Sequence, residues 1–419
     1  MTSKTDCYVY IVLPGETEFV TAGRLVIGDT PGLDATLGRF VYGRSYLERP
    51  NAVPIDPVEL RLGPRTYETR HLNGIFGALR DAGPDYWGRR VIERHVQKAQ
   101  LGEFDYLMYS PDDRAGALGF GLGANPPPPK REFNRTVDLE RLHTLADAII
   151  ANEDLPGGAE AEQAEELLLV GTSMGGARPK AVVEDEYGLW IAKFNRPDDR
   201  WNYARVEHAM LNLGKECGLN TSESKITTIG DRDVLLVKRF DREKSEQGYR
   251  RARMLSALTL LRASESAVER QRWSYVILSE ELRRISSKPK ADAAELFRRM
   301  AFNALISNID DHPRNHAVIA MNDHWRLSPA YDLVPSMPVS KERRDLALEC
   351  GDLGRYANAK NLLTQCQRFL LEQSEAEAII EEMERTVNDR WVAIARAQGV
   401  TEHDCGQVAN AFVYPGFWF

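Results

Sequence analysis

The run Asn308-Ile309-Asp310-Asp311-His312-Pro313-Arg314-Asn315 decides how the rest of the chain is read. Asp310 and Asn315 have the spacing of the catalytic aspartate and the metal-binding asparagine in the catalytic loop of protein kinases. That chemistry needs a carboxylate to orient a substrate hydroxyl and accept its proton. It also needs a neutral oxygen ligand for a hard Mg2+ ion. Asn, Asp and Pro are loop formers too, so the run by itself also reads as a polar turn closing a helix. The residues downstream separate the two readings. His316 to Met321 predicts a strand, Asn322-Asp323 a tight turn, and His324 to Leu327 the returning strand. Ser328-Pro329-Ala330-Tyr331-Asp332 comes next. A hairpin there returns Asp332 beside Asn315, so that two oxygen ligands converge on one cation site.

Working upstream, Gly171-Thr172-Ser173-Met174-Gly175-Gly176-Ala177-Arg178-Pro179-Lys180 is rich in glycine. It is not a Walker loop, because Ala177 stands where that motif needs lysine and the segment leads into a strand. A glycine loop between strands is how protein kinases cover nucleotide phosphates, with backbone N–H groups close to the oxygens. A flexible turn is the plainer reading. Lys193 lies near the end of the apolar strand Leu189 to Phe194, one short strand-turn-strand after the glycines. A lysine there must reach water or a counter-charge, because an unpaired buried ammonium is very costly. In a kinase it pairs with phosphates and with a helix glutamate. Glu207, on the next predicted helix, is the candidate; a solvated helix face is its other reading. The order of glycine loop, strand lysine, helix glutamate, DxxxxN, hairpin and aspartate reproduces the kinase layout.

Other chemistries find little support. His312 could join His316 or His324 at a metal, but magnesium prefers oxygen and no Cys or HExxH partner is present. A Ser-His-Asp hydrolase would need a GxSxG elbow between a strand and a helix; Gly171 to Gly175 has those letters, but the segment leads into a strand.

Composition narrows the class. The chain has 419 residues, enough for two or three domains at roughly 150 residues each. Apolar residues make up 43% and charged residues 28%, an ordinary globular balance. Lys plus Arg is 54 against 62 Asp plus Glu, a net charge of −8, which disfavours a dedicated nucleic-acid binder. No apolar run approaches the ~20 residues of a membrane span, and Met1 to Cys7 lacks the pattern of a secretory signal. The five cysteines are scattered, odd in number and form no CxxC pair. The expectation is a cytoplasmic protein without a membrane partner, disulfide framework or cysteine-zinc site.

The N-terminal stretch reads as strands at Cys7 to Leu13, Glu18 to Ile27 and Phe40 to Leu47, then a helix around Phe76 to Gln100. Four consecutive prolines within Asn125 to Lys130 mark a joint. A helix is expected at Asp138 to Glu153, strands at Ala181 to Glu184 and Leu189 to Phe194, and a helix at Tyr203 to Cys217. Strands are expected again at Ile226 to Ile229 and Val234 to Phe240, and helices dominate from Met254. Asp292 with Glu295, and Ser374 with Glu377, are capping-box patterns for two helices. The second helix carries Ile380, Met383, Val387, Trp391 and Ile394 as a core stripe and ends at Gly399. Three parts are expected: residues 1–124, a nucleotide-binding part at 125–245, and a helical part with catalytic loop and metal site at 246–419.

Taken together, these residues resemble the HipA family, serine/threonine kinase toxins of bacterial type II toxin–antitoxin modules. The resemblance runs through Ala22-Gly23-Arg24-Leu25, Leu79-Arg80-Asp81, Pro84-Asp85-Tyr86-Trp87-Gly88-Arg89 and Asp113-Arg114-Ala115-Gly116. It continues in Gly175 to Lys180, Met254 to Leu261, Asn308 to Asn315 and Pro329 to Asp332. It implies an α+β, protein-kinase-like bilobal fold with a β-rich N-terminal lobe and a mostly helical C-terminal lobe. It implies ATP and Mg2+ as cofactors, Asp310 as proton acceptor, and Asn315 and Asp332 as magnesium ligands. ATP contacts are implied at Gly175, Gly176, Ala177, Arg178, Pro179, Lys180, Lys193, His312, Asn315 and Asp332, with Lys238 and Phe240 on the adenosine part. The family often has glutamate where this chain has Lys238. Ser173 matches a serine that family kinases phosphorylate on themselves, and Asp311 replaces a glycine of some relatives. The implied partners are a HipB-like helix-turn-helix antitoxin, operator DNA reached mainly through it, and a protein substrate of the aminoacyl-tRNA synthetase class. A small-molecule phosphotransferase and a non-catalytic corepressor module remain as alternatives.

Overall fold

The structure is a computed structural model that describes residues 5–29, 36–96, 100–151, 178–337 and 340–418. The chain forms two compact units. The first holds Met1–Ala192, Arg239–Thr259 and Ile319–Trp325; the second holds Lys193–Lys238, Leu260–Val318 and Arg326–Phe419. The first is rich in strands and the second mostly helical, an α+β arrangement.

In the first unit, β1 (Thr5–Val12), β2 (Phe19–Asp29), β3 (Thr36–Tyr42), β4 (Thr66–Thr69) and β5 (Leu118–Gly121) form one sheet in the order β4-β3-β2-β1-β5. Gly38, Phe40 and Tyr42 alternate inward along β3, the period-two signature of a sheet with one buried face. Gly38 has a steric reason: a Cβ there would lie 1.7 Å from the Gly74 carbonyl oxygen. The third strand ends earlier than its apolar run predicts. Gly43 N–H donates to the Ala22 carbonyl at 2.9 Å, and its own carbonyl starts the short helix Arg44–Leu47. Tyr46 then folds back to stack on Tyr42 at 5.6 Å. The helix expected over 76–100 is likewise two pieces, Gly77–Asp81 and Tyr86–Val96. Gly83-Pro84 interrupts it, and Asp85 Oδ1 restarts the turn by accepting from the Gly88 N–H at 2.6 Å.

Beyond the prolines, β6 (Asn134–Arg135) runs parallel to β7 (Lys180–Asp185), which neighbours β8 (Gly188–Phe194). Asp185 Oδ1 takes the Tyr187 N–H at 2.8 Å and Gly188 has φ +125°, so the turn residues sit where turn chemistry wants them.

The second unit begins at Lys193. Its Tyr203–Glu216 helix is capped by Asn202, which accepts from Arg205 N–H at 3.1 Å. The hairpin of β9 (Ser224–Ile229) and β10 (Arg232–Lys238) comes next. The Pro289–Leu305 helix is the centre of the core: Leu296, Phe297, Met300, Phe302 and Leu305 have no exposed surface. It starts one turn earlier than the Asp292–Glu295 pattern predicts, because Pro289 is suited to the first helical turn. Asp292 is instead buried, taking bonds from Ser286 Oγ at 2.6 Å, Leu327 N–H at 3.0 Å and the Arg326 guanidinium. The long helix runs Gln373–Ala397 and is capped by Glu372 with Glu375, not by Ser374 with Glu377. Its stripe Ile380, Met383, Val387 and Ile394 is buried, and Trp391 stacks on Phe412 at 4.1 Å. All five cysteines are buried and free. Among the described residues, no helix is long and apolar enough to cross a membrane.

Candidate active site

The site in the second unit starts where the Pro289–Leu305 helix ends. Ser307 takes a left-handed φ of 52°, and Asn308 N–H returns to the Asn303 carbonyl at 2.8 Å. The chain then tightens. His312 N–H donates to the Asp310 carbonyl and Asn315 N–H to the His312 carbonyl, both at 2.8 Å. The Asn315 side-chain NH2 donates to the Asp310 carbonyl at 3.3 Å.

The two adjacent aspartates part company. Asp310 is exposed and Asp311 is buried. Asp311 Oδ2 accepts from the Tyr275 hydroxyl and lies 2.9 Å from His316 Nε2. A carboxylate only accepts, so Nε2 carries the proton. Asn303 donates to Tyr275 Oη at 3.1 Å, and Asn308 donates both to Asn303 Oδ1 at 3.1 Å and to the Asp332 carbonyl at 3.2 Å. A continuous polar chain therefore runs from Asp311 to the backbone of Asp332.

The expected pair of strands ahead of Asp332 forms, as Ala317–Ala320 and Arg326–Leu327. Ser328 N–H donates to the Ala317 carbonyl at 2.9 Å, and the Tyr331 hydroxyl to the Arg314 carbonyl at 2.8 Å. Asp332 itself has φ 55°, an uncommon conformation for a residue with a Cβ and one that clusters at functional sites. Its carboxylate accepts from Lys193 Nζ, which also donates to Glu207 Oε1 at 2.6 Å. Glu207 is only 5% exposed, so it is a buried partner and not a solvated helix residue. Burial alone would lower the Lys193 pKa, but Asp332 and Glu207 outweigh it and hold the ammonium above its ordinary value. Lys193 is thus charged, fixed and flanked by two acids.

The remaining expected residues fall in different places. The Lys238 ammonium contacts Glu223 Oε2 at 2.9 Å and its N–H donates to the Glu223 carbonyl at 2.8 Å. His312 is half-buried, and its backbone shapes the loop. Phe240, Arg178, Pro179 and Lys180 belong to the first unit. Lys180 is 1% exposed there, with its ammonium 2.8 Å from Asp85 Oδ2 and its carbonyl accepting from Trp87 Nε1 at 3.1 Å. Ser173, Gly175, Gly176 and Ala177 lie outside the described residues. Sequence reasoning missed Tyr275, Asn303 and Asn308 as supports of the loop. Only Asn308 had a signal, its place beside the DxxxxN run. Among the described residues, no group of three or more His, Cys, Asp or Glu is placed to hold a metal ion.

Comparisons with known proteins identify the family. The HipA-like C-terminal domain matches residues 172–391, and the HipA N-terminal domain matches residues 20–121. A Haemophilus influenzae protein is 27% identical over 232 residues, which is 50% of this chain and 66% of that one. A Sinorhizobium fredii protein is 22% identical over 346 residues, 78% of this chain and 79% of that one. Both carry the name Putative kinase. The solved complex of HipA, HipB and operator DNA from Shewanella oneidensis MR-1 contains a chain with TM-score 0.69 and 17% identity. That likeness covers 96% of this chain and 94% of the other, so the two share a fold across nearly their whole length. With the domain that carries Lys193, Asp310, Asn315 and Asp332 matched over more than half of its length, the chain belongs to the HipA family.

Proposed function

We propose that this protein is an ATP- and Mg2+-dependent protein serine/threonine kinase acting as the toxin of a toxin–antitoxin pair. The observation that carries the reading is the placement of Lys193 between Glu207 and Asp332, beside the Tyr331 hydroxyl bond to the Arg314 carbonyl. A structural ion pair needs one acid. Two acids on one lysine, with an exposed aspartate and a buried asparagine on the neighbouring loop, is what phosphoryl transfer uses.

Each residue then has a task. Asp310 faces solvent, where it orients a serine or threonine hydroxyl and takes its proton as the oxygen attacks. Lys193 binds ATP phosphates, and Glu207 keeps its ammonium in place. Asn315 and Asp332 offer an amide and a carboxylate oxygen, the hard donors a magnesium ion takes. Two protein oxygens leave the other positions to phosphates and water, the usual arrangement for this ion. When bound, the ion neutralises charge on the transferred phosphoryl group. Lys238 and Phe240 contact the adenosine part, His312 and Arg178 to Lys180 complete the nucleotide site with Gly175, Gly176 and Ala177, and Ser173 is the autophosphorylation site.

Family membership and the names of the relatives support kinase chemistry. The finer parts of the proposal are a protein substrate of the aminoacyl-tRNA synthetase class, growth inhibition, and a cytoplasmic location. A HipB-like helix-turn-helix antitoxin joins the toxin to its operator DNA. The test is transfer of labelled γ-phosphate from Mg·ATP to a bacterial lysate and to purified synthetases, with mass spectrometry of the protein itself. Phosphoserine or phosphothreonine on protein, dependent on Asp310, is expected. Label found only on small metabolites, or none, overturns the proposal.

A further inference from the structure

The motif Asp113-Arg114-Ala115-Gly116 has no part in the proposed chemistry, yet it meets a second buried charge cluster within the first unit. Its partners are Arg239, Asp241 and Arg242, which directly follow β10. Arg239 is 2% exposed, Asp113 1% and Asp241 0%. Arg239 Nη1 donates to the Asp113 carboxylate and Nη2 to the Arg114 carbonyl at 2.8 Å. Its Nε and Nη2 donate to Asp241 at 3.0 and 2.9 Å. Asp241 Oδ2 also accepts from Gly116 N–H at 2.9 Å and from Arg242 at 2.7 Å. Arg242 reaches back to the Gly116 and Arg114 carbonyls at 2.8 and 2.5 Å. Gly116 has φ +79°, which L side chains rarely adopt.

The clamp grips alternate residues. Arg239 and Asp241 are buried in it, while Lys238 and Phe240 are half-buried. Lys238 ends the strand and Phe240 lies in the turn after it, so each is bonded directly to a gripped residue. Fixing Arg239 and Asp241 therefore fixes the backbone that carries Lys238 and Phe240. A buried ion cluster is a poor device for stability alone, because well-packed apolar residues often do as well. Guanidinium–carboxylate forks are directional, and direction is what this stretch needs.

We infer that Asp113 is a positioning residue for nucleotide binding: through Arg239 it sets the placement of Lys238 and Phe240, and so the affinity for the adenosine part of ATP. The inference rests on the kinase reading proposed for this chain. It does not make Asp113 a contact of the nucleotide.

The experiment uses the full chain as wild type, Asp113→Asn and Asp113→Glu. Mg·ATP binding is read by calorimetry, KM and kcat by phosphotransfer, and folding by thermal melting. Asp113→Asn is expected to raise Kd and KM for ATP about tenfold, with kcat at saturating ATP within about threefold of wild type. Asp113→Glu, which keeps a charged acceptor, is expected to recover most of the affinity. A folded Asp113→Asn protein with wild-type Kd and KM overturns the inference, as does one that loses kcat with KM unchanged. If Asp113→Asn does not fold, Arg242→Lys replaces it, because it keeps the charge and drops one arm of the clamp; the same two outcomes decide. A wild-type protein that does not bind ATP overturns the kinase reading and this inference together, whereas binding by wild type with no change in the variants overturns the inference alone.

Discussion

The Tyr331 hydroxyl donates to the Arg314 carbonyl at 2.8 Å, and that contact ties together the residues next to Asp332 and Asn315. The two proposed metal ligands come from separate loops, so bringing both to one ion would depend on such ties. Replacing Tyr331 with Phe removes one hydrogen bond, worth about 0.5–1.5 kcal/mol, and leaves the ring. Phosphotransfer by this variant should need several-fold more Mg2+ for half-maximal rate, with the melting temperature nearly unchanged. A magnesium titration of activity checks it; an unshifted midpoint would show that the tie does not serve the metal.

Asp310 and Asp311 are neighbours with opposite surroundings, and their amide variants should behave oppositely. Asp310 is exposed, so Asp310→Asn should keep the melting temperature and lose about 10²–10⁴-fold in rate, the usual contribution of a placed base. Asp311 is buried against Tyr275 and His316, so Asp311→Asn should lower stability by about 1–3 kcal/mol. Urea unfolding beside a phosphotransfer assay distinguishes the two. An active, folded Asp310→Asn protein would remove Asp310 from the reaction.

Glu207 should matter for both stability and turnover. Deleting one partner of a buried ion pair costs up to about 3–5 kcal/mol, and less here because Asp332 stays on Lys193. Glu207→Gln retains the shape and an oxygen acceptor, so it should fold. Its loss should fall on ATP binding, since Lys193 is then drawn to Asp332 alone. Wild-type ATP affinity in Glu207→Gln would show that Glu207 serves only the fold.

Much of this arrangement is legible in the sequence where one residue and its near neighbours carry the information. A charged residue in an apolar strand demands a partner, and Lys193 has two. The Asp185–Gly188 turn, the Tyr203–Glu216 helix and the strand pair ahead of Asp332 follow from turn chemistry and period. What is not legible depends on distant partners. Tyr275 reaches Asp311 and Asn303 from a different helix, and nothing local marks it. Asp292 reads as a helix cap, yet Arg326 and Leu327 N–H claim it in the folded chain. Phe40 to Leu47 reads as one strand because it is apolar, but Gly43 caps a helix and Tyr46 gains more by stacking on Tyr42.

Acid should loosen the second unit in a way that one aspartate accounts for. Asp233 accepts from Arg205 Nε at 2.5 Å and Nη2 at 2.8 Å, from Asn202 at 2.6 Å and from Thr228 at 2.7 Å. Burial pushes its pKa up, but these donors and the Arg205 charge outweigh burial and hold it below the ordinary value. The folded pKa is therefore lower than the unfolded value of about 3.9. Stabilisation from this group is complete well above pH 4 and is lost as pH falls through the folded pKa. Asp233→Asn lacks the group, so its deficit relative to wild type should be constant from about pH 7 to 5 and shrink below about pH 4. Urea unfolding of both proteins at a series of pH values measures that gap. A gap that stays the same down to about pH 2.5 would mean that the Arg205–Asp233 pair contributes through shape and packing, not through its charge.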